Sequence, residues 1–179
     1  MRVWHKSLLK VLPQEYLLQQ WRDCGSIVKV LAGKGKTDLN NIVAKVLDYP
    51  ANHFFVYADT VREELEKHNT TCNFDKFVEV FPYDKLDTSL NITLDDVFPD
   101  WHNDRYLKQC YYMLEERADC KLLSEEDFAK IQEVCKPLFA SEILRDTTHI
   151  ELPTNTVSEK SKNILLDLLK SNAGFKITL

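Results

Sequence analysis

The chain has 179 residues, 44% hydrophobic and 11% aromatic, which is enough for one domain with a sizeable core and too apolar for a disordered chain. Its formal net charge of −5 argues against a generally basic nucleic-acid binder, and its four glycines form no phosphate-binding motif of the G-x-G-x-x-G or P-loop kind. No apolar run reaches the roughly 18 residues that a membrane span needs, so we expect no membrane association.

The five cysteines are odd in number and contain no C-x-x-C pair. This usage predicts reduced thiols in a cytoplasmic protein and neither a disulfide framework nor a metal site. Three of them fall on apolar helical stripes and are predicted to pack in the core: Cys24, Cys110 and Cys135.

The charge is uneven along the chain. Residues 1–48 hold eight basic and four acidic side chains, whereas residues 49–100 hold four basic and eleven acidic ones. Any attraction of a polyanion is therefore expected to come from the N-terminal part.

Three amphipathic helices are predicted in the first 70 residues. The first starts near Pro13 and ends at Gly33, with apolar residues at three- and four-residue steps. The second is capped by Thr37 or Asp38 and closed by Pro50, and the third is capped by Asn52.

The sequence pattern of the second half predicts shorter helices that are separated by polar loops. These are a helix over residues 74–81, a helix starting at Asp104, and a helix after the capping box Ser124–Asp127. Only "SLNITL" at residues 89–94 and "FKITL" at residues 175–179 could be strands.

The expected fold is mainly α, a single irregular bundle of six to seven helices with a C-terminal helical appendage. We place the main domain at residues 1–139. Residues 140–179 are expected to form a Thr-rich linker and a short helix with the stripe Ile164, Leu165, Leu168 and Leu169.

The opening residues carry a family resemblance. "MRVWH" followed by "LPQEYLLQQWRDC" resembles the pyrimidine-dimer DNA glycosylase/AP lyase family, and "DYPANHFFVYADTVREELEKHN" resembles its His-plus-aromatic helix. "FPDWHNDRYLKQCYYMLEERADC" is similar to a run in bacterial members, so that the resemblance spans roughly residues 1–139.

The resemblance implies a mainly helical DNA repair enzyme that needs no metal or cofactor and acts on damaged double-stranded DNA. Its nucleophile is the α-amino group of the first residue, which attacks the sugar C1′, expels the base and forms a Schiff base before the strand is cleaved. An α-amine has a pKa of about 7.7–8.0, against about 10.4 for Lys, so far more of it is neutral and nucleophilic at pH 7.

Mapped onto this sequence, the resemblance makes Met1 the amine and Asp23 the catalytic carboxylate. Arg2 and Arg22 become phosphate contacts. From the residues alone, a solvated helix flank remains the alternative for Arg22 and Asp23, and an ordinary terminal charge remains the alternative for Arg2.

Further DNA contacts are predicted at lysines beside glycines and at polar residues near helix starts: Lys29, Lys34, Lys36, His53, His102 and Arg105. The structural alternatives are a solvated lysine loop, capping or buried histidines, and an ion pair at a helix start.

The sequence therefore predicts a DNA glycosylase/AP lyase. The alternative is a non-catalytic phage or mobile-element accessory protein on the same scaffold, which binds nucleic acid or a protein partner. Its protein partner would dock on the C-terminal stripe at residues 164–169.

Overall fold

The computed structural model describes residues 2–35 and 41–146, and within these residues all regular structure is helical. This confirms the predicted mainly α fold. The described α-helices are α1 Gln14–Leu31, α2 Asn41–Leu47, α3 Ala51–Lys67, α4 Phe74–Val80, α5 Asp104–Asp119 and α6 Glu125–Asp146. The chain divides into two compact units, Met1–Cys135 and Lys136–Leu179.

Helix α1 is the centre of the first unit and ends as predicted. Pro13 precedes it as the N-cap, and Gly33 leaves it with φ of +69°, a left-handed conformation that glycine adopts without steric cost. The Lys34 N–H then donates to the Lys29 carbonyl at 2.8 Å, which satisfies a backbone acceptor at the end of the helix.

The core forms where α1 packs against α3, with α4 beside them. Apolar positions at helical spacing on both helices are fully or almost fully buried: Leu17, Cys24, Ile27 and Leu31 on α1, and Phe54, Tyr57, Val61 and Leu65 on α3. All five cysteines are free, and the three predicted core cysteines are buried.

Helix α3 corrects one prediction. It begins at Ala51 after Pro50, so the expectation that Asn52 caps it is wrong. The Asn52 amide instead pairs with the backbone of Asp87, donating to its carbonyl and accepting from its N–H, both at 2.9 Å. This cross-link ties the loop before α5 to the start of α3.

A second prediction is wrong at residues 89–94, because this possible strand does not form. The segment runs through a turn into a 3-10 helix, Leu94–Asp96. The Asp96 carboxylate accepts hydrogen bonds from the Thr93 N–H at 3.0 Å and the Thr93 hydroxyl at 2.6 Å. A local capping box therefore takes the place of a ladder partner.

Helix α6 starts after the predicted capping box, where the Ser124 hydroxyl accepts the Asp127 N–H at 3.1 Å. It continues to Asp146, past the predicted domain boundary at residue 139. The predicted cap at Thr37 or Asp38, the C-terminal helix at residues 164–169 and the "FKITL" segment lie outside the described residues. No helix in the described ranges combines the length and apolarity needed to cross a membrane.

Candidate active site

The N-terminal tail, residues 2–6, runs through the interior of the first unit. Val3, Trp4 and His5 are only 0%, 5% and 4% exposed. A buried tail must find partners for its backbone N–H and C=O groups, because an unpaired buried group is costly.

Side chains from three helices supply those partners. Gln20 of α1 donates to the Arg2 carbonyl at 2.9 Å and accepts from the Trp4 N–H at 3.0 Å. Tyr57 of α3 donates its hydroxyl to the Trp4 carbonyl at 2.9 Å, and Tyr106 of α5 donates to the Val3 carbonyl at 2.5 Å. The tail is thus fixed from three directions.

The carboxylate of Asp23 lies at the beginning of this tail. Its Oδ2 accepts the backbone N–H of Arg2 at 2.8 Å, and its Oδ1 accepts the Gln19 side-chain amide at 3.2 Å. Both oxygens are therefore oriented by a donor, in a half-buried position. Met1, the predicted source of the amine, lies outside the described residues.

A cleft of about 600 Å³ opens beside this carboxylate. Its walls come from the tail, α1 and the C-terminal part of α5 with the turn after it: Arg2, Trp4, Glu15, Tyr16, Gln19, Gln20, Asp23, Arg117 and Leu122. The volume is in the range of small-molecule and nucleotide-sized sites.

Two arginines line the cleft and lie over aromatic rings. The Arg2 guanidinium is 5.0 Å from the Trp4 ring and also contacts the Met113 sulfur, and the Arg117 guanidinium is 5.5 Å from the Tyr16 ring. Among the residues that the structure describes, neither guanidinium forms an ion pair with a carboxylate. Both charges are available to an anion that enters the cleft.

The structure thus brings Arg2 and Asp23 together, two of the residues that the sequence singled out. Arg22 is exposed, and its Nη1 lies 3.4 Å from the Gln19 side-chain oxygen, next to the residue that orients Asp23. Lys29 and Lys34 are exposed near the far end of α1 and do not line the cleft. Lys36 lies outside the described residues.

The two histidines that were predicted to contact DNA accept hydrogen bonds from backbone N–H groups and do not line the cleft. Nδ1 of His102 accepts the Lys6 N–H at 3.1 Å, and Nδ1 of His53 accepts the Phe98 N–H at 3.1 Å. Burial lowers the pKa of His102 to about 2 and also lowers the pKa of His53, so both rings are neutral near pH 7. Arg105 is exposed on the first turn of α5, outside the cleft lining. The DNA roles of these three residues stay predictions.

Sequence reasoning predicted only Arg2 and Asp23 among the cleft residues, and the missed ones include four with charged or amide side chains: Glu15, Gln19, Gln20 and Arg117. Gln20 carried a usable signal, because an amide stands where the apolar stripe of α1 predicts a hydrophobic residue. Arg117 carried none, since it follows Asp23 by more than ninety positions and reaches the cleft only through helix packing. No group of three or more His, Cys, Asp and Glu side chains in the described part of the chain is arranged to hold a metal ion.

Comparison with known families gives a match in the N-terminal part of the chain, which contains the tail and Asp23. Residues 1–78 match the family model for pyrimidine dimer DNA glycosylase. The match confirms the family resemblance over the N-terminal tail and α1 to α3, and it supports a DNA repair function of the glycosylase type, with DNA as substrate. Asp23, Gln20 and Tyr57 lie in the matched part, whereas Tyr106 and Arg117 lie beyond it. No curated protein and no solved structure matches the chain.

Proposed function

We propose that this chain is a DNA glycosylase/AP lyase in which the α-amino group of Met1 is the nucleophile and Asp23 is the catalytic carboxylate. The observation that carries the proposal is the 2.8 Å hydrogen bond from the Arg2 N–H to Asp23. Covalent geometry keeps the nitrogen of residue 1 within roughly 4 Å of the Arg2 nitrogen. An amine at residue 1 is therefore confined to the neighbourhood of that carboxylate.

The chemistry needs both groups. The neutral amine attacks C1′ of the damaged nucleotide and displaces the base, which leaves with a proton. The C1′–O4′ bond then opens, so that O4′ becomes a hydroxyl on C4′ and C1′ forms a Schiff base with the amine. Removal of a C2′ proton expels the 3′-phosphate and cleaves the strand, and water hydrolyses the Schiff base to release the amine. Positive charge develops at the sugar during base loss, and an oriented carboxylate stabilises it. The same carboxylate can accept and return protons as the amine becomes an imine.

The cleft supports damaged DNA as the substrate. Arg2 and Arg117 line it beside the aromatic rings of Trp4 and Tyr16, and neither guanidinium pairs with a carboxylate among the described residues. Phosphates flanking the lesion would neutralise the two guanidinium groups, which the buried rings of Trp4 and Tyr16 hold in place. Arg22, which is exposed and lies 3.4 Å from the side-chain oxygen of Gln19, is proposed as a further phosphate contact.

Borohydride trapping tests the proposal. The full chain is mixed with duplex DNA containing one abasic site and reduced, and we expect a covalent protein–DNA adduct that is lost when the α-amine is selectively acetylated. Peptide mapping should place the adduct on residue 1. An absent adduct, or an adduct on a lysine, contradicts the mechanism.

A binding protein without chemistry is the second candidate. The excess of acidic residues over positions 49–100 and the end of the family match at residue 78 favour it, because negative charge repels DNA and more than half of the chain lies beyond the match. Salt-sensitive affinity for abasic-site DNA without trapping would support this candidate and exclude the first.

A further inference from the structure

Gln20 is the most unusual residue of helix α1. It is 1% exposed and lies on the buried stripe that also holds Leu17, Cys24 and Ile27. Its amide nitrogen and oxygen form hydrogen bonds with the N-terminal tail. The nitrogen also makes a long contact with the Cys24 sulfur, at 3.8 Å. Such a placement requires a reason beyond core packing, because burying an amide costs free energy unless both of its ends are paired.

Both ends of the amide are paired with the tail. Its nitrogen donates to the Arg2 carbonyl at 2.9 Å, and its oxygen accepts from the Trp4 N–H at 3.0 Å. The carbonyl of one residue and the N–H two residues later are the pair that a neighbouring β-strand would engage. A side-chain amide donates at its nitrogen and accepts at its oxygen, as a backbone peptide group does, so Gln20 takes the place of a strand partner.

This pairing sets the register of the tail. Backbone groups of consecutive residues in an extended segment point to opposite sides, so a shift by one residue would turn both of the groups that Gln20 holds away from it. Gln20 and Asp23 are three positions apart on α1 and share a face. Together they hold the carbonyl and the N–H of the same residue, Arg2.

We propose that Gln20 is a positioning residue that fixes Arg2, and with it the chain terminus, against the Asp23 carboxylate. The inference rests on the proposed function for its effect on rate. Gln20 acts through the backbone of the tail and does not take part in the chemistry. Its contribution is the alignment of nucleophile and acid, to which imine formation is sensitive.

Two other hydrogen bonds to the tail allow an effect of Gln20 on alignment to be distinguished from an effect on folding. Tyr106 holds the Val3 carbonyl and Tyr57 holds the Trp4 carbonyl, both further along the tail. Loss of the Gln20 amide therefore leaves the tail attached at these two points, while the Arg2 carbonyl loses its partner and Arg2 is held only through its N–H and its own side chain. Tyr57→Phe is the matched control, because it removes a buried hydrogen bond to the same tail at a position away from Arg2.

The experiment compares wild type, Gln20→Met and Tyr57→Phe as full chains on abasic-site duplex DNA. Gln20→Met keeps the length of the side chain and removes both polar ends. We expect its single-turnover rate of borohydride-trapped adduct to fall about 100-fold, with the Kd for the same DNA within about threefold of wild type. Tyr57→Phe is expected to change the rate by less than about threefold.

Exchange of the Arg2 amide proton, followed by NMR, is the readout independent of activity. We expect it to be at least about tenfold faster in Gln20→Met, with the Val61 amide in α3 unchanged. An adduct rate within about threefold of wild type, an equal rate loss in Tyr57→Phe, or an Arg2 amide as protected as in wild type would overturn the inference.

The same measurements separate the two proposals. If wild type forms no adduct, the proposed function fails, and amide exchange alone decides whether Gln20 holds Arg2 against Asp23. If Gln20→Met does not fold, Gln20→Asn replaces it, since this variant keeps both polar ends but is one methylene shorter. We then expect the same slower adduct formation and faster Arg2 exchange, and wild-type values for both would overturn the inference.

Discussion

The contact between Arg2 and Asp23 uses the backbone of one residue and the side chain of the other. A backbone N–H is present at every residue except proline, so its position depends on where the chain runs and not on the residue type. The carboxylate is held at its other oxygen by Gln19 at 3.2 Å, which leaves its orientation fixed on both sides. The candidate acid is therefore placed by neighbours that lie next to it on α1 and at the start of the chain.

Replacement of Asp23 by Asn tests the acid directly. Asn has nearly the same shape and can still accept the Arg2 N–H, but it carries no negative charge. We expect the single-turnover rate of adduct formation on abasic-site DNA to fall by about 100-fold or more, as when an electrostatic contact to a transition state is lost. Thermal unfolding should stay within a few degrees of wild type.

Asp84→Asn is the matched control for this substitution. Asp84 is exposed in the 3-10 helix Tyr83–Lys85, outside the cleft lining, and its loss should leave the rate unchanged. Equal rates for Asp23→Asn and wild type would show that the carboxylate is not part of the chemistry.

At the scale of elements, a pair of buried histidines joins the tail to the start of α5. The rings of His5 and His102 are stacked with centroids 5.0 Å apart, and the Nε2 atom of each is buried without a hydrogen-bond partner among the residues that the structure describes. His5 caps the 3-10 helix Lys6–Leu8, and His102 accepts the Lys6 N–H. Two positive charges could not coexist at this junction, so it requires neutral rings.

This junction predicts a loss of stability in acid. Burial lowers the pKa of His5 and lowers that of His102 to about 2, whereas both titrate near pH 6.5 in the unfolded chain. The unfolded state therefore binds more protons below pH 6.5. The stabilisation is fully present above that pH and is lost progressively as the pH falls towards 2, at up to about 1.4 kcal/mol per pH unit for His102.

Urea unfolding of His102→Asn between pH 7 and pH 4 measures this effect. The Asn oxygen can accept the Lys6 N–H in place of Nδ1, but it does not titrate. We expect a shallower fall in the free energy of unfolding than in wild type, whereas His68→Asn, at an exposed histidine, should keep the wild-type slope. Identical slopes in all three proteins would contradict the assignment.

At the scale of the whole chain, the charge distribution favours DNA only in the N-terminal part. Residues 49–100 carry an excess of seven negative charges, and residues 1–48 carry an excess of four positive ones. Arg117 adds a positive charge to the cleft from the second half of the sequence. Affinity for DNA is thus expected to depend on a few local contacts and to fall steeply with salt.

Arg117→Ala tests this local arrangement. If Arg117 binds one phosphate, the slope of log Kd against log salt for abasic-site duplex should decrease by about 1, with weaker binding at low salt. Lys76→Ala removes an exposed charge from α4, away from the cleft, and should leave the slope unchanged. A wild-type slope in Arg117→Ala would place this arginine outside the DNA interface.

Local patterns predicted most of the helices correctly. Pro13 and Gly33 mark the ends of α1, the Ser124 capping box marks the start of α6, and the apolar spacing identified the buried faces. The predictions failed where a side chain had a remote or competing partner. Asn52 pairs with the backbone of Asp87 instead of capping α3, and Asp96 closes a turn where a strand was possible.

The sequence by itself determined the helical class, the buried stripes and the family resemblance of the first 78 residues, because these depend on spacing and composition along the chain. Only the tertiary structure decided that the tail passes through the interior, that Gln20 and Asp23 hold Arg2, and that Arg117 faces the same cleft. These contacts join the first residues to α1, α3 and α5. They arise only when the helices pack, and no local pattern encodes that packing.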